Sequence, residues 1–413
     1  MVKNVAILGA TGSIGTSALD VIAKHPDRFA IWGLTSHTRL EKCCALIKKF
    51  RPKMVAVSPE MMSDVADFLT GGFGSVALLE GDQGINTIAA AEEVDIVIAG
   101  IAGAAGFAST LSAIRAGKKV LIANKEPLVM LGGLLRKLVA DSGAQIVPID
   151  SEHNAIFQCL PKAAQIDCMS GEIDIDQGLL RYGVQGILLT ASGGPFLNTP
   201  LQEMSDITPQ QAAAHPRWAM GRKISIDSAT MMNKGLEMIE ACALFGVEPQ
   251  NVEVVIHPES IIHSLVEYLD GSLVAQLANP DMRVPIAAAL ADPGRIQSGA
   301  ERLDLVRAGP LNFQEPDDRK FPCLGLARQV AETGGAAPVI LNAANEVAVN
   351  AFCGGRLRFT DIPDFIHCAL DNFSNQAADD VGSIIRLDQL VRETLQNRLD
   401  TGAISSQQVV AGY

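Results

Sequence analysis

The sequence predicts an α/β protein in three parts, because three patterns follow one another along its 413 residues. In the first 150 residues, short β-branched runs alternate with stretches of helical length, which is typical of a parallel sheet covered by helices. A middle region has the pattern of an α+β domain, and the residues beyond 316 carry helical patterns only. A chain of this length can form two or three domains.

The elements can be placed from these patterns. The strands predicted in the first part are Val5–Leu8, Phe29–Leu34, Met54–Val57, Asp95–Ala99, Lys119–Ala123 and Gln145–Pro148. Those predicted in the middle part are Ile187–Thr190, Val252–Ile256, His263–Leu269 and Leu273–Leu277, with a hairpin turn at Asp270-Gly271. The helices predicted in the last part are Cys323–Thr333, Val339–Phe352, Ile362–Phe373 and Gly382–Arg398.

The composition excludes several classes of protein. The chain has 33 basic and 46 acidic residues, and its net charge of −13 argues against binding to nucleic acid or an anionic membrane. With 48% hydrophobic and 19% charged residues, extensive disorder is excluded. Eight cysteines without a Cys-x-x-Cys pair argue against a zinc knuckle and a disulfide framework, and they favour a reducing, cytoplasmic location.

Two segments bear on targeting. Met1–Asn4 runs straight into a strand pattern, so we expect no signal or transit peptide. Residues 96–114 form an uncharged stretch of 19 residues, which is near the length of a membrane span. Glycines and hydroxyl residues interrupt this stretch, so we interpret it as a buried strand, a glycine turn and an Ala-rich helix.

A glycine-rich turn follows the first predicted strand, where Gly9, Gly12 and Gly15 recur every three residues. Such glycines permit a close approach of the backbone to a pyrophosphate, which the N–H groups of the next helix then face. A glycine pattern alone is weak evidence, but this one follows the first strand of an alternating α/β region. The first part is therefore predicted to be a Rossmann-like dinucleotide-binding domain.

The end of the second strand indicates which dinucleotide binds. NAD sites place an acidic residue about 20 residues beyond the glycine turn, on the ribose hydroxyls. Here Thr35-Ser36-His37-Thr38-Arg39 offers hydroxyls, a histidine and an arginine, and no acid precedes Glu41. This composition favours NADP. Alternatively, Arg39 only begins the solvated face of the next helix and contacts no cofactor.

Two carboxylates, Asp150 and Glu152, follow the last strand of the first part. If the chain stays extended there, both project to one side and suit a hard cation such as Mg²⁺ or Mn²⁺. Alternatively, Asp150 caps a helix and Glu152 lies in its first turn. The spacing alone favours neither interpretation.

A second cluster has helical spacing. Asn233 and Glu237 are four residues apart and Lys234 and Glu237 are three apart, so the three share a helix face. An exposed Lys–Glu pair is the common alternative. However, apolar neighbours such as Met231 and Leu236 predict a partly buried helix, which favours a site that handles metal and phosphate together.

Three further features are candidates. Ser192 lies in a Gly-Gly-Pro turn that either binds phosphate or is a plain turn. Lys125 follows a strand, at the end where open α/β sheets bind ligands. The loop that carries Trp218 is a candidate lid, with packing on its own domain as the alternative. His257 and His263 are predicted to be packing or hydrogen-bonding residues.

Together these stretches resemble the 1-deoxy-D-xylulose 5-phosphate reductoisomerase family. The matching segments, spread in order over most of the chain, are GATGSIG at 9–15, AGIAGAAG at 99–106, ANKE at 123–126, DSEHNAIFQ at 150–158, LLTASGGPF at 188–196, HPRWAMGRKISIDSATMMNKGLEMIEA at 215–241 and LNAANE at 341–346. The resemblance implies a homodimer that uses NADPH and one Mg²⁺ or Mn²⁺ ion per subunit. The implied reaction rearranges 1-deoxy-D-xylulose 5-phosphate and reduces the product to 2-C-methyl-D-erythritol 4-phosphate, for the non-mevalonate isoprenoid pathway.

The resemblance also implies residue roles. The metal ligands would be Asp150, Glu152 and Glu237, and the catalytic residues would be these three with Lys125 and His215. The substrate would be bound by Lys125, Ser151, Glu152, Ser192, His215, Trp218, Met220, Ser228, Asn233, Lys234 and Glu237. NADPH would be bound by Gly9, Thr11, Gly12, Ser13, Ile14, Gly15, Ser36, His37, Arg39, Ala99, Gly100, Ile101, Asn124, Lys125, Glu126 and Gly221.

The predicted domains are an NADPH-binding domain at 1–150, a catalytic and dimerisation domain at 151–290, a linker at 291–316 and a C-terminal helical domain at 317–413. The chain departs from the family pattern at Pro127, where we expect Ser, and in the turn Ser36–Arg39, where a Gly-Lys-Asn turn is common. Two alternatives are another NADP-dependent dehydrogenase, such as a homoserine or semialdehyde dehydrogenase, and a catalytically silent NADP sensor.

Overall fold

Alternating strands and helices build the N-terminal part. The computed structural model describes residues 1–173, 177–214 and 221–401. The elements of the first range are β1 (Lys3–Leu8), α1 (Ser13–Ala23), β2 (Phe29–Ser36), α2 (Leu40–Phe50), β3 (Met54–Val57), α3 (Met62–Thr70), β4 (Ala77–Glu80), α4 (Gly81–Ala90), β5 (Ile96–Ala99), α5 (Phe107–Arg115), β6 (Lys119–Ile122), α6 (Glu126–Leu131), α7 (Leu134–Ser142), β7 (Gln145–Pro148), α8 (Ser151–Cys159) and α9 (Lys162–Ser170).

The later ranges hold fewer strands and more helices. Their elements are β8 (Val184–Ala191), α10 (Pro209–Ala212), α11 (Arg222–Ala229), α12 (Met232–Phe245), β9 (Val252–Ile256), β10 (Ile262–Tyr268), β11 (Leu273–Leu277), α13 (Arg283–Ala291), α14 (Leu305–Ala308), α15 (Pro322–Thr333), α16 (Ala337–Cys353), α17 (Ile362–Asn372) and α18 (Val381–Asp400). Short 3₁₀ turns occupy Pro59–Met61, Ala104–Gly106, Gly178–Tyr182, Leu201–Asp206, Pro249–Asn251 and Phe359–Asp361.

Strands β1 to β7 form one parallel sheet of seven strands, in the order β4-β3-β2-β1-β5-β6-β7. The chain builds outward from β1 to β4 and then returns to pair β5 with β1. The strand order therefore reverses between β1 and β5, and sheets of this kind bind ligands beyond the carboxyl ends of the strands at that point. Val5, Ile7, Val97 and Ile98 are fully buried here, as expected for central strands covered on both faces.

The six strands predicted in the first part are all present, and β2 continues to Ser36. The prediction omitted β4, because its residues Ala77, Leu78 and Leu79 are not β-branched and favour helices, and its side chains are exposed or half-buried. The uncharged stretch 96–114 divides into β5, a 3₁₀ turn and most of α5. In the parts of the chain that the structure describes, no helix combines the length and the apolar character that crossing a membrane requires.

The chain forms two compact units. Unit 1 comprises Met1–Pro127, Arg136–Ile173 and Asp281–Leu303, and unit 2 comprises the described residues of 128–135, 174–280 and 304–413. The late segment belongs to unit 1 because α13 packs against α1, α8 and β6.

An ion-pair network holds this late segment in unit 1. Arg283, the first residue of α13, binds Asp20 of α1 with an Nη1–Oδ2 distance of 2.9 Å. Its other nitrogen, Nη2, lies 2.6 Å from Oδ2 of Asp281. The pKa of Asp281 is lowered mainly by the hydrogen bonds from Arg283, which outweigh the opposing effect of burial.

Unit 2 combines a mixed sheet with a helical region. Its four strands have the order β11-β10-β8-β9, with β10 antiparallel to β11 and β8, and β9 parallel to β8. The predicted hairpin turn joins β10 to β11, where Gly271 has φ +83°. The four predicted C-terminal helices are present as α15 to α18, with ends shifted by at most two residues. Buried phenylalanines, among them Phe245, Phe352 and Phe365, fill the core of this unit.

Candidate active site

Glycines line the gap between the carboxyl ends of β1 and β5. Gly9 has φ +80°, and a Cβ atom there would lie 2.9 Å from the Gly100 carbonyl oxygen. A Cβ on Gly15 would lie 2.5 Å from the Gly9 oxygen, which is closer than packing allows. Only glycine permits this approach of the backbones, and the resulting cradle suits the pyrophosphate of a dinucleotide.

The start of α1 faces the same gap. Its N-cap, Gly12, offers no side chain to the helix, and the first turn carries no acidic residue. The N–H groups of Ser13, Ile14 and Gly15 are therefore available to an anion. The residues of the predicted glycine loop thus lie together in unit 1.

The end of β2 lies against the glycine loop. The Gly9 N–H donates to Oγ1 of Thr35 at 2.8 Å, and the Thr11 and Ser36 hydroxyls are 3.2 Å apart. The guanidinium of Arg39 donates to the Thr11 carbonyl oxygen at 2.8 Å. Thr35 and Ser36 are buried, whereas His37 and Arg39 are exposed. Two of the three residues predicted here for the NADP phosphate, Ser36 and Arg39, therefore contact Thr11.

Asn124 connects the loops that follow β5 and β6. Its Nδ2 donates to the Ile101 carbonyl and, at 2.9 Å, to that of Gly103. Its Oδ1 accepts from the N–H of the buried Glu126 at 3.3 Å. Asn124 thereby orders the backbone on either side of the glycine gap and holds the next residue, Lys125, at the carboxyl edge of the sheet.

Lys125 pairs with the first candidate metal ligand. Its Nζ lies 2.9 Å from Oδ2 of Asp150, and both side chains are about nine-tenths buried. The Ser151 hydroxyl donates to Oε2 of Glu152. Nδ1 of His153, whose side chain is fully buried, lies 3.8 Å from Oδ1 of Asp150. Unit 1 thus places two carboxylates and a lysine at one edge of the sheet.

The extended conformation considered for residues 150–152 is wrong. Asp150 is the N-cap of α8 and accepts the N–H of Glu152 at 3.4 Å. The cap hydrogen bond favours a helix over a continued strand, because it satisfies an N–H group that the first helical turn leaves unpaired. The two carboxylates remain neighbours because both lie at the helix start, and their oxygens are the donors that Mg²⁺ and Mn²⁺ prefer.

In unit 2, the turn after β8 packs directly on α11. Gly194 has φ +69°, and a Cβ atom there would lie 2.6 Å from the Ser228 carbonyl oxygen. Its N–H donates to the Ser192 hydroxyl at 3.2 Å. This close approach joins the turn that carries Ser192 to the helix that carries Ser228.

The second predicted cluster lies on α12. Met231, with φ +60°, interrupts the path between α11 and α12, a strained conformation for a residue with a side chain. Nδ2 of Asn233 then donates to Oε1 of Glu237, and Nζ of Lys234 pairs with Oε2 of the same carboxylate. Lys234 and Glu237 are 3% and 1% exposed, so this is a buried cluster rather than a surface ion pair.

Sequence reasoning missed three residues with unusual environments, two in unit 2 and one in unit 1. Asp227, 1% exposed on α11, pairs with Lys223 at 2.8 Å and accepts from Nδ2 of Asn345 on α16 at 2.9 Å. Ser260 is buried with φ +53°. An acid beside Ser228 on a predicted buried helix could have drawn attention to Asp227, whereas no local pattern marks Ser260. Lys42, one turn beyond Arg39 in α2, was also missed.

Six of the eight thiols do not support a cysteine nucleophile, which requires a lowered pKa. Burial raises the pKa of Cys43 and of Cys159 to about 11, and that of Cys168 to about 12. Burial also raises the pKa of Cys44, Cys323 and Cys353. A semialdehyde dehydrogenase with a reactive cysteine therefore finds no support in these groups.

The remaining predicted residues divide into two sets. Gly221 is the exposed N-cap of α11. His257 is fully buried and its Nδ1 lies 2.9 Å from the Asn312 carbonyl oxygen, which confirms a packing and hydrogen-bonding role. His215, Trp218 and Met220 lie outside the described residues.

Models of a single protein family match three stretches of the chain. The model described as 1-deoxy-D-xylulose 5-phosphate reductoisomerase matches residues 5–132. A model of the C-terminal domain of the same enzyme matches residues 146–245, and a DXP reductoisomerase C-terminal domain matches residues 277–394.

Whole proteins agree with this result. The chain is 54% identical over 390 residues to a 1-deoxy-D-xylulose 5-phosphate reductoisomerase of Stutzerimonas stutzeri, covering 94% of this chain and 96% of that protein. It is 53% identical over 400 residues to the enzyme of the same name from Pseudomonas fluorescens, covering 96% and 98%.

Solved structures show the same similarity. A DOX-P reductoisomerase in complex with NADPH, fosmidomycin and magnesium matches with a TM-score of 0.92 and 46% identity, covering 98% of this chain and 100% of that one. The Zymomonas mobilis enzyme in complex with NADPH matches with a TM-score of 0.87 and 40% identity, covering 97% and 99%. With the family models and the full-length relatives in agreement, the chain belongs to the 1-deoxy-D-xylulose 5-phosphate reductoisomerase family.

Proposed function

We propose a division of tasks among the residues of this chain for the reaction of its family. The chain converts 1-deoxy-D-xylulose 5-phosphate to 2-C-methyl-D-erythritol 4-phosphate by rearrangement and reduction, with NADPH and a divalent metal ion. When bound, NADPH supplies the hydride and the metal ion polarises the carbonyl and a neighbouring hydroxyl of the substrate. The residues of the chain bind, orient and shield the reacting groups.

The cofactor residues are those around the glycine gap of unit 1. Gly9, Gly12 and Gly15 leave room for the pyrophosphate, and the start of α1 offers N–H groups to it. Ser36, His37 and Arg39 bind the adenosine ribose and its phosphate. The remaining cofactor contacts, at the ends of β5 and β6 and at α11, are Ala99, Gly100, Ile101, Asn124, Lys125, Glu126 and Gly221.

The proposed metal ligands are Asp150, Glu152 and Glu237. The donor set fits a hard divalent cation, because it consists of carboxylate oxygens with a net negative charge. Lys125 pairs with Asp150 at 2.9 Å and thereby fixes the orientation of one ligand. In the reaction, Lys125 and Ser151 contact the oxygenated carbons of the substrate.

The substrate phosphate is held by residues of unit 2. Ser192, Ser228, Asn233 and Lys234 supply hydroxyl, amide and ammonium donors for a phosphate dianion. Anchoring the phosphate far from the reacting carbons holds those carbons in a fixed orientation. Such orientation lowers the activation barrier of the reaction. His215, Trp218 and Met220, which lie outside the described residues, are proposed as further substrate-binding residues.

The observation that best supports this assignment is the buried Lys125–Asp150 pair. It lies at the carboxyl edge of the sheet that also carries the glycine gap, where open α/β sheets bind their ligands. A dehydrogenase that uses no metal has no need for two adjacent carboxylates at this edge, and an NADP sensor has no need for the buried lysine.

The test is NADPH oxidation at 340 nm with 1-deoxy-D-xylulose 5-phosphate. We expect oxidation with Mg²⁺ or Mn²⁺, its loss with EDTA and its return when the metal is added in excess. Oxidation that persists in EDTA would favour a metal-independent dehydrogenase. Folded protein that binds NADPH but oxidises none of it would favour a sensor.

We further propose that the chain acts as a cytoplasmic homodimer and binds neither nucleic acid nor membranes. In support, β11 lies at the edge of the mixed sheet and, among the described residues, pairs only with β10. Leu273, Val274 and Leu277 on this strand are 53%, 41% and 37% exposed. Exposed apolar edge strands are prone to pair with another chain.

Light scattering after gel filtration tests the dimer. We expect the wild type to elute as a dimer and Val274→Lys as a monomer. Val306→Lys provides the matched control, because Val306 is 93% exposed on the short helix α14 and belongs to no strand of the sheet. A monomeric wild type at micromolar concentration would contradict the proposal.

A further inference from the structure

Two cations meet at one carbonyl oxygen beside the glycine loop. Nη1 of Arg39 and Nζ of Lys42 each donate to the Thr11 carbonyl oxygen at 2.8 Å. Nζ of Lys42 also donates to the Thr16 hydroxyl at 2.7 Å. The two nitrogens therefore contact the same oxygen, which belongs to the loop between β1 and α1.

No carboxylate neutralises this pair. Within residues 1–173, 177–214 and 221–401, neither Arg39 nor Lys42 forms an ion pair with an acid. Burial lowers the pKa of Lys42, and the neighbouring charge of Arg39 lowers it further. Glu41, the acid nearest in sequence, is exposed. Such an arrangement of like charges is unfavourable in the free protein and becomes favourable when a dianion binds between them.

A phosphomonoester supplies that dianion, since it carries a charge of about −1.5 to −2 at neutral pH and three acceptor oxygens. A ribose hydroxyl, which NADH has at the same position, carries no charge and cannot balance two cations. The pair lies where the adenosine ribose of a dinucleotide sits in Rossmann-like domains, beyond the end of the second strand.

We propose that Lys42 is a specificity-determining residue which, together with Arg39, binds the 2′-phosphate of NADPH in this chain. The proposal rests on the proposed use of the glycine gap for NADPH. Lys42 lies in the first turn of α2, whereas the turn Ser36–Arg39 carries no lysine. The Thr16 hydroxyl contacts Nζ of Lys42, and the Ser36 hydroxyl lies 3.2 Å from that of Thr11, the residue whose carbonyl oxygen both cations contact.

Binding of cofactor fragments tests this site independently of the catalytic reaction. By calorimetry, the wild type is expected to bind 2′,5′-ADP more tightly than ADP, which lacks the 2′-phosphate. Lys42→Gln keeps a donor for the Thr11 carbonyl but removes the charge, and it should weaken 2′,5′-ADP binding about 10-fold or more, as expected for one charged hydrogen bond. Its affinity for ADP should not change.

Three further variants complete the series. Arg39→Ala should show the same selective loss, and Lys42→Arg should retain most of the preference. Lys48→Ala is the matched control, because Lys48 is an exposed residue in the last turn of the same helix. In the wild type, the preference for 2′,5′-ADP should shrink as the salt concentration rises, because salt screens exposed charges.

The proposal is overturned if Lys42→Gln weakens both fragments equally or weakens neither. A thermal unfolding midpoint equal to that of the wild type shows that the variant is folded when this comparison is made. If the wild type prefers 2′,5′-ADP but does not turn over 1-deoxy-D-xylulose 5-phosphate, the reaction assignment fails while the role of Lys42 stands.

Discussion

Lys234 and Glu237 form a buried ion pair one turn apart on α12, and Asn233 donates to the same carboxylate. Burying a carboxylate requires compensation, which the two donors supply to Glu237 in the core of unit 2. A divalent cation that binds Glu237 would take over part of this compensation and free Lys234 for the substrate phosphate.

Glu237→Gln keeps the size of the side chain and removes its charge. We expect turnover to fall about 1000-fold, which corresponds to losing several kcal/mol of charge stabilisation by the metal ion. NADPH affinity, measured by fluorescence quenching, should not change, because the glycine gap is built from unit 1. Glu253→Gln on β9 is the control, since Glu253 is exposed. Near-normal turnover of Glu237→Gln would exclude Glu237 as a metal ligand.

Gly194→Ala tests the contact between the turn after β8 and α11. The new Cβ would lie 2.6 Å from the Ser228 carbonyl oxygen, so the turn must move away from Ser228. We expect the KM for the sugar phosphate to rise about 10-fold, as for the loss of one charged hydrogen bond. NADPH binding should be retained.

Gly183→Ala is the matched control for this variant. Gly183 has φ +78° but no atom near its missing Cβ, so alanine there is strained without a clash. Both variants should lose about 1–2 kcal/mol of stability from the left-handed backbone. Only Gly194→Ala should raise the KM, and an equal rise in both would show that backbone strain alone affects the site.

Gly235→Ala should destabilise unit 2, although alanine is the better helix former. Its Cβ would lie 2.3 Å from Cβ of Ala327, so α12 and α15 must separate. Overpacking of this kind costs about 1–3 kcal/mol, which exceeds the gain of about 0.5–1 kcal/mol in helix propensity. Urea unfolding measures the loss in the free energy of unfolding. Adding Ala327→Gly to the Gly235→Ala variant should restore part of the lost stability. Gly325→Ala on α15, with open space around it, should be neutral or stabilising.

Arg283→Met should destabilise unit 1 in a pH-dependent way. Hydrogen bonds from Lys24 and then from Arg283 lower the pKa of Asp20 below the ordinary value of 3.8, and those from Arg283 lower the pKa of Asp281. A carboxylate with a lowered pKa stabilises the fold above its unfolded pKa, and this contribution disappears as the pH falls through the folded pKa. The variant should therefore lose about 1 kcal/mol at pH 7, and the difference from the wild type should shrink below pH 4. An equal difference at pH 7 and pH 3 would show that packing, rather than charge, accounts for the effect.

Local sequence patterns were sufficient to predict much of the fold and part of the candidate site. The alternation of β-branched runs and helical stretches predicted the parallel sheet, because each strand is marked by its own residues. The shared face of Asn233, Lys234 and Glu237 also followed from spacing, since helical geometry places residues three and four apart together. β4 was missed because its residues Ala77, Leu78 and Leu79 are not β-branched and favour helices.

Other features depended on residues far apart in the chain. The spacing of Asp150 and Glu152 fitted both a strand and a capped helix, and a cap hydrogen bond decided between them. The approach of Gly194 to Ser228, the bond from Asn345 to Asp227 and the meeting of Arg39 and Lys42 at Thr11 join separate segments. Sequence by itself determined most of the elements and much of the chemistry that they carry, because periodicity and motifs are local. Only the tertiary structure decided which groups meet, because packing brings distant segments together.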